Sequence, residues 1–211
     1  MPPSSTDAYG SVAGIYDPLT AALLDPLRRE LTRQAQHLEV NTVLDLCCGT
    51  GRQLAMLHSA GLRCAGVDLS EAMLAQARIQ CPKDVELLKA DATATPYPEG
   101  SFDLCTIAFA LHERPHAIRL GLLAEAQRVL TPCGTIFVLD YRMPRSWVQR
   151  LGHLGVWLFE RAAGGEHYAS YRQYLRSGGL GPLAKQAGLT GALLGSYRLN
   201  AIGLYAFTKN A

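Results

Sequence analysis

The sequence predicts an α/β fold with a doubly wound, mainly parallel sheet of about seven strands. Three observations carry this. Between Thr42 and Asp140, five apolar strand-like runs are separated by helical or turn-rich stretches, the signature of successive βα units with helices on both faces of a parallel sheet. The first run, Val43-Leu44-Asp45-Leu46, enters a tight turn, Cys47-Cys48-Gly49-Thr50-Gly51, and the second run ends on an acid, Gly66-Val67-Asp68. After Asp140 the alternation stops, and Leu193 to Thr208 reads as two strands around Leu199-Asn200-Ala201, an antiparallel hairpin at the sheet edge.

Composition sets the bounds. A chain of 211 residues is long enough for one well-buried α/β domain, and 1–211 is read as such. Twenty Lys+Arg against 18 Asp+Glu give a net charge of +2, which argues against a nucleic-acid face and for a small-molecule partner. Met1-Pro2-Pro3-Ser4-Ser5 has no cationic stretch leading into an apolar run, and no membrane-spanning segment is visible, so the expected location is cytoplasmic. Six cysteines without C-x-x-C pairs or histidines at ligand spacing read as buried free thiols, with no metal site. Cys47 and Cys48 would point to opposite sides of an extended chain and so would not converge on one ligand.

The elements follow in order. Residues 1–10, rich in Pro and Ser, read as disordered. Ser11 to Leu38 is a helical layer, with Leu19, Leu23, Leu24, Leu27 and Leu31 on one side and Arg28, Arg29, Glu30 and Arg33 on the other, led into by a turn at Ile15-Tyr16-Asp17-Pro18. Thr42–Leu46 is the first strand, Arg52–Ala60 the helix after the glycine turn, and Cys64–Asp68 the second strand. Ser70 caps the next helix, whose buried stripe is Met73, Leu74, Ala77 and Ile79. Val85–Lys89 and Phe102–Ala108 are the third and fourth strands. Ala117–Leu130 is an amphipathic helix closed by a turn at Thr131-Pro132-Cys133-Gly134, and Thr135–Asp140 is the fifth strand. Residues 143–180 are a mostly helical insertion, and Leu180–Ala187 is a short helix.

The first βαβ unit carries chemistry. Small residues let a backbone approach a ligand, and a carboxylate at the end of the second strand suits a ribose diol. The turn lacks the full G-x-G-x-x-G of a dinucleotide site, because Cys47 stands at the first small position and no glycine follows Gly51. A pyrophosphate wants both the close backbone and the open helix end, so a phosphate-free nucleoside is preferred and a nicotinamide-dependent reductase disfavoured.

At this point the chain resembles the class I S-adenosylmethionine (SAM) dependent methyltransferases, in particular the group related to ubiquinone/menaquinone-biosynthesis methyltransferases. The resemblance lies in Val43 to Gly51, Gly66-Val67-Asp68-Leu69-Ser70-Glu71-Ala72-Met73, Ala90-Asp91-Ala92, Ser101-Phe102-Asp103-Leu104 and Arg128-Val129-Leu130-Thr131-Pro132-Cys133-Gly134. It covers about Tyr16 to Asp140 and implies a Rossmann-like fold that binds SAM and releases S-adenosylhomocysteine. It further implies that Cys47, Gly49 and Gly51 pack on the methionyl part and Asp45 accepts near its amino group. Asp68 would hold the ribose, Leu69 and Met73 contact the adenosine, Asp91 and Ala92 meet the adenine, and Ala108 and Phe109 approach the methyl group. Competing readings are a helix-capping role for Asp91 and a core position for Met73.

Two residues are catalytic candidates. His112 sits where similar enzymes place an active-site histidine, and imidazole suits proton transfer near neutrality. Tyr16 lies in a segment, 11–38, that in similar enzymes folds over the cofactor. Tyr141 and His167-Tyr168 are further acceptor-side candidates. Residues 145–161 join Trp147, Trp157 and other apolar residues to Arg145, Arg150 and Arg161, compatible with an acceptor lid or a membrane-surface helix. The expected function is methyl transfer to a small apolar, quinone- or lipid-like acceptor. The alternative is a non-catalytic SAM-binding partner protein. Neither the acceptor nor the oligomeric state follows from these residues.

Overall fold

The computed structural model describes residues 10, 13–144, 146, 147, 149, 150, 153, 161 and 165–209. Most of the expected disordered start, and most of the segment 145–161, lie outside the described residues. Two compact units divide the chain, Met1–Pro96 and Tyr97–Ala211.

In the first unit, helix α1 (Ala13–Gln36) precedes β1 (Thr42–Leu46), α2 (Arg52–Ser59), β2 (Arg63–Asp68), α3 (Glu71–Gln80) and β3 (Glu86–Lys89). The strands are parallel in the order β3-β2-β1, with Asp45 opposite Gly66 and Asp68 opposite Lys89. Each β1 residue from Val43 to Leu46 is buried, as expected of a strand covered on both faces. Ser70 caps α3 by accepting from the Met73 N–H at 3.1 Å, as its place before Glu71 predicts.

Helix α1 departs from expectation. It begins at Ala13, so Ile15 to Pro18 lie inside it and not in a turn before it, and it also accommodates Pro26. Leu24, Leu27 and Leu31 are buried, but Leu19 is 71% exposed and Leu23 is exposed as well, whereas Arg28 is buried. The cause is a polar inner face. Asp25 accepts a bidentate pair from Arg52, Nε at 2.7 Å and Nη2 at 2.6 Å, and a third bond from Arg28 at 3.2 Å. Gln53 donates to the Arg28 carbonyl and to the Thr32 hydroxyl. Asp17 accepts from the Thr50 hydroxyl at 3.0 Å and from the Gln80 amide, so it ties α1 both to the glycine turn and to the end of α3. Buried polar groups are tolerable only when bonded in this way.

A pH dependence follows from Asp25. The Arg52 fork, and then Arg28, hold its carboxyl below the ordinary aspartate value. A folded-state pKa below the unfolded one contributes stability that is present above the unfolded value of about 3.9 and is lost as pH falls through the lower folded value. Urea unfolding of wild type and Asp25→Asn should therefore differ clearly at pH 6, and the difference should shrink below pH 4.

The second unit contains β4 (Phe102–Ala108), α4 (His116–Val129), β5 (Leu130–Tyr141), α5 (Gly165–Arg176), α6 (Leu180–Gln186), β6 (Leu189–Tyr197) and β7 (Ile202–Lys209). Its strand order is β4-β5-β7-β6, with β4 and β5 parallel and β7 antiparallel to both of its neighbours. The predicted hairpin is present, turning through Arg198, Leu199 and Asn200, all at positive φ. Two boundaries differ. β5 starts at Leu130, so Thr131 to Gly134 belong to the strand; a register irregularity opposite Phe102–Leu104 accommodates the run that contains Pro132. β6 starts at Leu189, because its outer residues are exposed and carry no apolar alternation to mark it. Among the described residues no helix is long and apolar enough to cross a membrane.

Candidate functional site

In the first unit the turn after β1 is built from three left-handed residues at alternate positions, Cys47 (φ 61), Gly49 (φ 54) and Gly51 (φ 74). Cys47 is therefore not extended, contrary to the sequence reading. Left-handed geometry at a residue with a Cβ costs roughly 1–2 kcal/mol. The two glycines serve different ends. A Cβ on Gly49 would meet nothing within 4 Å, so its backbone lies open, whereas one on Gly51 would lie 2.7 Å from Cys81 Sγ and 2.9 Å from Ala77 Cβ, where α3 packs.

Asp68 holds this turn in place. Its Oδ2 accepts from the Gly49 N–H at 2.8 Å and its Oδ1 from the Ser70 N–H at 2.9 Å, while its carbonyl accepts from Ala90 at 3.2 Å. A carboxylate has about four acceptor sites, so these two bonds leave capacity for a diol. Next to it, Leu69 is 62% exposed. Met73 is buried with Leu74 and Ala77 in the α3 stripe, matching its core reading, whereas Ile79, expected in that stripe, is 77% exposed. Asp91 Oδ1 accepts from the Thr93 N–H at 2.8 Å and hydroxyl at 2.7 Å, a local cap on an exposed turn, and Ala92 beside it is buried. Asp45 is buried in β1, and Tyr16 is half-buried on α1.

Three thiols here are held in the protonated form. Burial first, and then the Asp45 carboxylate, push the Cys64 thiol up to about 12 and the Cys81 thiol up to about 11, and the same causes raise Cys48 well above the ordinary thiol value. Cys105 is also buried, whereas Cys133 is exposed.

The second unit brings together residues that the sequence reading had scattered. Ala108 ends β4, and Phe109 follows at φ 56 with its N–H donated to the Leu139 carbonyl at 2.8 Å. The chain then passes over the buried carboxylate of Asp140. Oδ2 accepts the N–H groups of Leu111 at 3.0 Å and His112 at 3.2 Å; Oδ1 accepts the Tyr141 N–H at 2.6 Å and lies 2.7 Å from His112 Nδ1. With its other partners all donors, the carboxylate is an acceptor, and His112 carries its proton on Nδ1.

Arg119, 1% exposed, reaches the same loop from α4. It donates to the Leu111 carbonyl at 2.8 Å, to that of His112 at 3.4 Å and to Ser170 on α5 at 2.6 Å, with its guanidinium 5.1 Å from the Tyr174 ring centroid. Burial lowers its pKa from the usual arginine value, and Tyr174 and Asp140 oppose that shift. The Tyr141 ring lies 4.4 Å from His112 and that of Tyr171 6.4 Å. His153 faces the Tyr171 hydroxyl at 3.1 Å through Nδ1, while its buried Nε2 has no partner among the described residues. His167 pairs with Glu113 at 3.4 Å.

Asp140 and Arg119 were missed by sequence reasoning. A strand ending on an acid was available as a signal at Asp140, as at Asp68. Nothing distinguishes Arg119 from the polar side of an ordinary helix.

Residues 43–134 match the family described as a methyltransferase domain. The chain is similar to demethylmenaquinone methyltransferases. That of Thermus thermophilus is 35% identical over 145 residues, 64% of this chain and 65% of the relative; that of Lactococcus lactis subsp. lactis is 32% identical over 149 residues, 65% and 58%. An uncharacterized methyltransferase of Synechocystis sp. is 35% identical over 106 residues, half of each chain. The chain thus spans 50% to 65% of the length of these relatives.

Among solved structures, an O-methyltransferase family protein from Burkholderia thailandensis superposes with a TM-score of 0.73 at 17% identity, over 94% of this chain and 60% of that one. The DhpI complex with S-adenosylhomocysteine superposes at 0.67 and 15% identity, over 96% and 93%. These likenesses show the Rossmann-like fold that the βα pattern predicts. The first unit has groups suited to SAM, the cofactor that the resemblance implies: an open left-handed glycine, a fixed carboxylate with spare acceptor sites and an exposed leucine beside it.

Proposed function

We propose that this protein transfers a methyl group from SAM to a small, apolar, quinone- or lipid-like acceptor. The observation that carries the reading is Asp68, whose carboxylate is locked between the Gly49 and Ser70 N–H groups at the end of β2. A fixed carboxylate accepts a vicinal diol without first paying to be oriented. In this reading Asp68 takes the ribose hydroxyls, the open Gly49 backbone admits the methionyl part, and Asp45 accepts from its amino group. Leu69 covers the adenosine, while Asp91, through the oxygen not given to Thr93, and the Ala92 N–H meet the adenine. Tyr16 and the rest of α1 close over the cofactor.

When bound, SAM supplies a methyl carbon activated by a positive sulfur. The chain's own task is to place the acceptor in line with it and keep the site dry, a contribution on the order of 7–11 kcal/mol when the geometry is right. The apolar acceptor is supported by the tyrosine rings around His112 and by the printed names of the relatives, demethylmenaquinone methyltransferases.

The test is incubation of the purified protein with methyl-labelled SAM and a small-molecule extract of its host cells, followed by mass analysis. A labelled apolar product is expected. SAM binding without incorporation into any extract component would instead favour a non-catalytic SAM-binding protein.

A further inference from the structure

We propose that Asp17 is a specificity-determining residue of the cofactor site, whose buried negative charge makes the glycine turn favour SAM over its neutral product, S-adenosylhomocysteine. This deepens the methyl-transfer reading and rests on it.

The two aspartates on the inner face of α1 are partnered differently. Asp25 is neutralised, since Arg52 forks onto it and Arg28 adds a third bond. Asp17, 8% exposed, has neutral hydrogen-bond partners among the described residues. Its Oδ1 accepts from the Thr50 hydroxyl at 3.0 Å and its Oδ2 from the Gln80 amide. Arg52 senses it, but the bonds to Asp25 come first in raising the pKa of that guanidinium and the Asp17 charge comes last, so the cation is committed to Asp25.

Hydrogen bonding alone does not account for a carboxylate at this place. An asparagine would accept from Thr50 through its carbonyl oxygen and give an N–H to the oxygen of a turned-over Gln80 amide, without the desolvation cost of a buried ion. What asparagine could not supply is the charge.

That charge is set against the cofactor turn. Thr50 is buried and stands between Gly49, whose backbone is open, and Gly51. Through the Thr50 hydroxyl, the Asp17 carboxylate is one side chain away from the turn that takes the methionyl part in the proposed reading. The surroundings of this turn are already negative, because after burial it is Asp45 and then Asp68 that raise the Cys48 thiol. In the same reading those two carboxylates serve the amino group and the ribose, which SAM and S-adenosylhomocysteine share. The two ligands differ at sulfur alone, a methylated cation in one and a neutral thioether in the other. A buried carboxylate whose charge is not offset is weakly screened by salt and separates them by charge. Transfer removes the methyl group and leaves the bonding pair on sulfur, so the positive charge that Asp17 favours is gone and the turn loses part of its hold on the product.

The test is isothermal titration of the full chain with SAM, S-adenosylhomocysteine and sinefungin, which carries a protonated amine in place of the sulfonium. Thermal unfolding is recorded for every variant. Asp17→Asn is expected to weaken SAM and sinefungin about five- to tenfold more than it weakens S-adenosylhomocysteine. Thr50→Val removes the hydrogen bond and leaves the charge, so it should weaken all three alike. Gln80→Lys sets an ammonium against the same carboxylate and should reduce the preference in the same sense as Asp17→Asn; should Asp17→Asn fail to fold, it carries the comparison. A purely structural tie between α1 and the turn would move the three ligands together. An unchanged ratio of SAM to S-adenosylhomocysteine affinity in the variant that carries the comparison, a preference lost equally in Thr50→Val, or sinefungin that follows S-adenosylhomocysteine would overturn the inference. A wild type that binds none of the three would overturn the reading beneath it.

Discussion

Asp68→Ala is expected to weaken SAM binding by about 100-fold or more, equivalent to about 2.7 kcal/mol. Two losses add. The ribose hydroxyls lose a charged acceptor, and hydrogen bonds to charged groups contribute roughly 1.5–3 kcal/mol. The glycine turn also loses its tether, since the Gly49 and Ser70 N–H groups both end on this carboxylate. Asp68→Asn separates the two. Its single carbonyl oxygen can keep one of the N–H groups, so the turn is partly held while the diol contact is degraded, and an intermediate affinity should follow. Titration with S-adenosylhomocysteine measures this directly, and thermal unfolding of each variant separates weaker binding from a looser fold.

Arg119→Met should be strongly destabilising, by about 3–5 kcal/mol. Methionine fills much of the same volume but leaves the carbonyls of Leu111, His112 and Ser170 without their donor, and an unsatisfied buried group costs roughly 1–3 kcal/mol. It also removes the cation that interacts with the buried Asp140 carboxylate. Against a total stability of about 5–15 kcal/mol this is a large fraction, and for a chain of this size it corresponds to a fall in Tm of roughly 10 °C. Urea unfolding gives the difference; a shift under about 1 kcal/mol would mean that water replaces the guanidinium without penalty.

Local signals explain what was legible in the sequence. β1 and β4 have their predicted bounds because each is an apolar run stopped by a turn, and Ser70 caps α3 because the preference for Ser before an acidic first turn is local. The glycine turn and the acid at Asp68 could be read for the same reason. What was hidden is long-range. The inner face of α1 is polar because Asp17 and Asp25 find Thr50, Gln80 and Arg52, partners 27 to 63 positions away, so helical spacing alone put Leu19 and Leu23 inward and Arg28 outward. His112 could be named as a candidate but not interpreted, because the carboxylate that orients it is 28 positions away. Arg119 was invisible for want of any sign that its helix position faces three carbonyls.

Cofactor binding is the property on which the proposed site depends most directly. Isothermal titration of the wild-type protein with SAM should give saturable binding at one site per chain, and Asp68→Ala should lose most of it. The absence of any binding heat with wild type, or undiminished affinity in Asp68→Ala, would contradict the site described above.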